Sequence, residues 1–131
     1  MAVDLLLKQQ QGGELGMSKK RGQRLWSHKQ PKPEWERLEG VKEGLLREFA
    51  TDGVSHVEFV VAFSEPFYYW VWLGVSTDQE RDACQQDATV DGRVRRVVAE
   101  HDMADLYDGF TIESQETVDR DYEGSWFYRR R

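Results

Sequence analysis

The stretch FYYWVWLGV, residues 67–75, sets five aromatic side chains in six positions and carries no charge over its nine residues. As a strand it sends Phe67, Tyr69, Val71 and Leu73 to one face and Tyr68, Trp70 and Trp72 to the other, because successive side chains alternate. One core uses only one of those faces. The other has to be covered by something else or offered to a partner.

The segment before it, HVEFVVAF, alternates in the same way, and SEP (64–66) turns the chain between the two, so 56–75 reads as a hairpin. Pairing Phe63 with Phe67 sets Phe59 opposite Val71 and Val57 opposite Leu73, which makes one wholly apolar face. The same register sets Val60 opposite Trp70 and Glu58 opposite Trp72. The second face is then aromatic with a polar end, a candidate surface for recognition.

Helical spacing flanks the hairpin. Trp35, Leu38, Val41, Leu45 and Phe49 recur three and four apart, Pro33 suits a first turn, and Asp52-Gly53 stops the run. Gly40 and Gly44, one turn apart, leave room for a close neighbour and read as a packing detail. After the hairpin, Thr77 and Glu80 have the spacing of a capping box. A further helix carries Val90, Val94, Val97, Val98 and His101 on one side. Asp108-Gly109 reads as a turn, FTIESQETV as a strand, DRDYEG as a loop and SWFYRRR as a last strand. The order α-β-β-α-α-β-β predicts an α+β, two-layer domain: an antiparallel sheet of about four strands in two hairpins, with helices packed on one face.

The expected domain spans 31–131. Before it, QQQGGELGMSKKRGQR has the composition of a linker, so residues 1–30 read as a flexible basic arm. Met17 opens MSKKRG like a start, and residues 1–16 read as an upstream extension. The net charge of −6 divides unevenly: residues 1–33 carry seven basic side chains against Asp4 and Glu14, or +5, while residues 34–131 carry 11 basic and 22 acidic, or −11. An acidic body repels nucleic-acid phosphates, so only the arm, at 17–32, suits DNA or RNA. The longest uncharged apolar run is about half of a membrane span. With one cysteine, Cys84, no internal disulfide forms, and a cytoplasmic location is expected.

No cofactor or catalytic signature is present: the sequence has no phosphate-binding glycine loop, nucleophile elbow, paired zinc cysteines or His-Glu-x-x-His. No cofactor and no metal site is expected. His56 and Glu58 share a strand face with Trp70 and Trp72 and are candidates for a general base and its orienter. His101, Asp102 and Asp105 read as a helix end, since one histidine is too few for a transition-metal site. Glu113, Glu116, Asp119, Asp121 and Glu123 crowd ESQETVDRDYEG without the alternation of a calcium loop.

Three functions follow. The leading one is a small acidic cytoplasmic binding protein, of the inhibitor or immunity type, that engages a basic protein partner through Glu58, Trp70, Trp72, Glu113, Glu116, Asp119, Asp121 and Tyr122. The second is a small-ligand binder or enzyme with His56 and Glu58 at an aromatic cleft. The third is nucleic-acid binding through the basic arm.

Overall fold

The computed structural model of the protein describes residues 31–130; the expected arm at 1–30, and Arg131, lie outside the described residues. Helix α1 (Trp35–Glu48) and a 3-10 turn (Ala50–Asp52) lead into the antiparallel pair β1 (His56–Val61) and β2 (Tyr69–Val75). Helices α2 (Asp78–Gln86) and α3 (Val90–Glu100) then carry the chain to β3 (Tyr107–Ser114), and α4 (Gln115–Asp121) and α5 (Trp126–Arg129) follow it. The fold is α+β. Its sheet has three strands in the order β1-β2-β3, antiparallel between β1 and β2 and parallel between β2 and β3.

The hairpin register agrees with the sequence: Val57 faces Leu73, Phe59 faces Val71, Glu58 faces Trp72 and Val60 faces Trp70. The ladder ends at Val61 and Tyr69, so Phe63 and Phe67 do not pair within it, and Phe63 is 83 % exposed. The Thr77–Glu80 capping box forms as well, the Thr77 hydroxyl accepting from the Glu80 amide at 3.1 Å.

The expected second hairpin is not there, and neither is the four-stranded antiparallel sheet. Two helices separate β2 from β3, a crossover long enough to bring β3 back parallel to β2. Asp108 and Gly109 form no turn between elements. They lie inside β3, where the register steps from Tyr69–Tyr107 to Trp70–Gly109. Past Ser114 the chain coils, because the Ser114 hydroxyl accepts from the Thr117 amide at 3.1 Å and starts α4. SWFYRRR, expected as a strand, instead forms α5, whose first turn is capped by the Ser125 hydroxyl accepting from the Tyr128 amide.

One face of the sheet holds the main core. Phe59, Val71, Leu73 and Ile112 pack there against Leu38, Val41 and Leu45 of α1 and Val94, Val97 and Val98 of α3. The two helices approach closely: a Cβ at Gly40 would stand 2.7 Å from His101 Nδ1, and one at Gly44 would stand 2.9 Å from Val97 Cγ1. The opposite face holds a second cluster of Trp72, Val118 and Trp126, with Trp70 and Tyr122 packed against it. The chain's own α4 and α5 thus cover part of the aromatic face. No helix among the described residues is long and apolar enough to cross a membrane.

Trp126 is 8 % exposed and Phe59 4 %. If both faces are core, Trp126→Ala and Phe59→Ala should each cost about 3–5 kcal/mol in chemical denaturation. A loss below about 1 kcal/mol for Trp126→Ala would mean that α5 contributes little to the second cluster. Gly109 has φ +141°, and a Cβ there would meet the Trp70 ring at 2.5 Å. Gly109→Ala should therefore destabilise by about 1–3 kcal/mol, read in the same measurement.

Candidate functional site

The candidate residues from the sequence divide into two groups. Glu58, Trp70, Trp72, Glu113 and Tyr122 come together on or against the second face of the sheet, while Glu116, Asp119 and Asp121 are exposed along α4.

Glu113 lies in β3 and is only 4 % exposed. A buried carboxylate needs cations and donors around it. Its Oε1 accepts from Arg81 Nη1 of α2 at 3.0 Å and from the Ser114 amide at 2.9 Å, and its Oε2 accepts from Arg129 Nε at 2.5 Å. Burial favours the neutral form, but the bonds from Arg129, Ser114 and Arg81 outweigh that and hold the carboxyl below its ordinary range. Arg129 also sits over two rings, with its guanidinium carbon 5.0 Å from the Trp72 centroid and 5.5 Å from that of Tyr122.

Glu58 forms an ion pair with Arg130, whose side chain is almost wholly buried. Burial again opposes the charge on Glu58, yet His56 and Arg130 keep its carboxyl well below the usual range. His56 Nε2 lies 3.7 Å from Glu58 Oε2, longer than a hydrogen bond. The His56 ring rests instead on Trp126, with centroids 4.6 Å apart and planes at 36°. Gly74 makes room for both: a Cβ there would lie 2.8 Å from His56 Cβ and 3.1 Å from the Trp126 ring. Glu58 thus faces both Arg130 and His56, and the His56 ring is stacked on Trp126.

A polar network ties α2 to α4. Asp78 accepts from the hydroxyls of Ser114 and Thr117 and from Arg120 Nη1 at 3.1 Å, and these bonds hold its carboxyl far below the ordinary range. On the surface of α4, Glu116 accepts from the Asp78 amide at 2.6 Å, Asp119 from Gln115 at 2.8 Å, and Asp121 pairs with Arg120 at 3.3 Å. Trp70 donates to Thr111 Oγ1 at 2.8 Å and is half-buried.

Arg81, Arg129, Arg130 and Trp126, which complete this face, did not emerge as candidates from the sequence. The available signal was the run FYRRR beside an acidic stretch with surplus aromatics. Elsewhere, an open groove of about 390 Å³ lies beside β3, lined in part by Cys84, Asp87, Asp91, Phe110 and Ile112, with neither His56 nor Glu58 in it. The buried Cys84 thiol is pushed up by desolvation, and no group of three His, Cys, Asp or Glu among the described residues could hold a metal.

The depressed carboxyls set the response to acid. Glu58 and Glu113 titrate lower in the folded chain than in the unfolded one, so their contribution is complete above about pH 4.3 and is lost as pH falls toward their folded values. The denaturation midpoint should fall steadily below that pH. Glu113→Gln, which leaves two arginines facing a neutral amide, should cost on the order of 3 kcal/mol at neutral pH and flatten the acid decline. An unchanged acid profile in the variant would show that Glu113 is not depressed by folding.

No family model matches the chain, and no curated protein or solved structure is significantly similar to it.

Proposed function

We propose that the protein is a non-catalytic acidic binding protein, of the inhibitor type, that engages a basic protein through the uncovered end of its aromatic face. The observation that carries this reading is the uneven cover on that face. Trp72 and Gly74 are buried, whereas Val60 and Tyr68 at the hairpin end are 38 % and 48 % exposed, and Phe63 lies bare in the connecting loop. Trp70 borders this end, and Tyr122, packed against the same cluster, follows directly on the helix that exposes Glu116, Asp119 and Asp121 beyond the far end of β2. Exposed rings supply binding energy once desolvated, and surface carboxylates steer a basic partner during encounter. No ion pair among the described residues engages Glu116 or Asp119, so their charge is available to an approaching cation.

The test is capture from a lysate of the source cell, using the full chain and a Phe63→Ser/Tyr68→Ser variant, each with and without nuclease. Exposed substitutions of this kind change stability by about 0.5 kcal/mol or less, so the variant should stay folded. A basic protein should be captured by the parent chain, resist nuclease, weaken with added salt, and be lost with the double variant. Capture that disappears on nuclease treatment would favour nucleic-acid binding through the arm. Capture indifferent to Phe63 and Tyr68 would place the binding surface elsewhere.

A further inference from the structure

We infer that Trp72, Tyr122 and Glu113 form an arginine-binding cage, which Arg129 fills in cis and which an arginine of a basic protein fills in exchange. The partner's half of this exchange rests on the binding role proposed above; the cage itself does not.

The cage has the parts that select a guanidinium. Two rings lie 5.0 and 5.5 Å from the Arg129 guanidinium carbon, and a buried carboxylate oxygen accepts from its Nε at 2.5 Å. A planar cation can stack and donate in one pose, while an ammonium offers only a point charge. The acceptor is also held independently of its occupant. Arg81 and the Ser114 amide bind Glu113 Oε1, so Oε2 stays charged and aimed into the cage when Arg129 leaves.

The occupant is placed to leave. The Arg129 side chain is 26 % exposed, against 4 % for Arg130, and it ends a helix of four residues. Arg130 on Glu58 and Trp126 on His56 hold that helix to the sheet without Arg129. The cage also shares its cluster with Trp70, at the border of the uncovered end. A partner seated on that end reaches the cage with one arginine.

An occupant in cis lowers the apparent affinity for one in trans by the fraction of time the cage stands empty. The experiment compares the full chain with Arg129→Ala and Arg129→Lys, titrated with a capped Gly-Arg-Gly peptide and its Gly-Lys-Gly counterpart, reading tryptophan fluorescence and melting temperature. Arg129→Ala should bind the arginine peptide about tenfold more tightly than the parent does, and should prefer it to the lysine peptide. Its melting temperature should rise with the arginine peptide more than the parent's does. If Arg129→Ala does not fold, Arg129→Lys keeps a cation on Glu113 and should still gain affinity for the arginine peptide. No gain in either variant, or a gain equal for arginine and lysine, would overturn the cage. If a basic protein is captured through Phe63 and Tyr68 but Arg129→Ala gains nothing, the cage fails and the binding role stands. If Arg129→Ala gains arginine affinity and no basic protein is captured, the cage stands and the binding role fails.

Discussion

β2 is buried on both faces, and the rest of the structure follows from it. With β1 antiparallel on one side and β3 parallel on the other, it is the central strand, and a strand in that position reads as a nearly unbroken apolar run. Val71 and Leu73 meet α1 and α3 on one face, which is an ordinary helix-on-sheet core. Trp72 on the other face has no long helix to meet. Its cover is α4 and α5, of seven and four residues, too short to be stable by themselves. They are ordered by what they touch: Val118 and Trp126 against Trp72, serine caps at each start, and arginines on buried carboxylates.

That cover decides where the charge goes. Placing Glu58 and Glu113 beneath it demands cations at the same depth, and Arg81, Arg129 and Arg130 supply them. Arg93 does the same beside the main core. It bonds Glu48 at 2.8 Å and Asp52 at 2.7 Å, with its guanidinium carbon 4.3 Å from the Phe49 ring. Arg81, Arg93, Arg129 and Arg130 are thus committed to partly buried pairs, whereas carboxylates such as Glu36, Glu39, Glu43, Glu116 and Asp119 remain at the surface. The −11 of residues 34–131 is consequently a surface property with reach into solvent, not a balance hidden in the core.

The parts of the fold legible in the sequence are those set by local period. The hairpin register, the apolar stripes of α1 and α3 and the Thr77 capping box all follow from spacings of two, three or four residues. What was not legible depends on distant contacts. FTIES does form a strand, but its direction is set by the two-helix crossover, and its length by a serine that caps the next helix. Glu113 sits in a run of acidic residues with no local mark of burial; its depth follows from Arg81, 32 residues earlier, and from Arg129, 16 residues later. Of the candidate surface, Glu116, Asp119 and Asp121 are exposed as a solvated acidic stretch would be. Glu58, Trp72 and Glu113 are inside because α5 coils where period two suggested another strand.

The two ends of the aromatic face are built differently. At the covered end, Gly74 gives up its side chain so that His56 and Trp126 can stack over the sheet. At the hairpin end, Gly109 gives up its own so that the Trp70 ring can approach β3 closely, and the bond to Thr111 fixes that pose. A ring that neither hangs into water nor turns freely has already lost the rotational freedom that binding would otherwise remove, which lowers the entropic cost of contact. Tyr68 and Val60 stand beside it on the paired strand ends, where the backbone ladder holds them in register. In the proposed role, this end is a preformed platform, and the net charge of the body acts on what approaches it over a longer range.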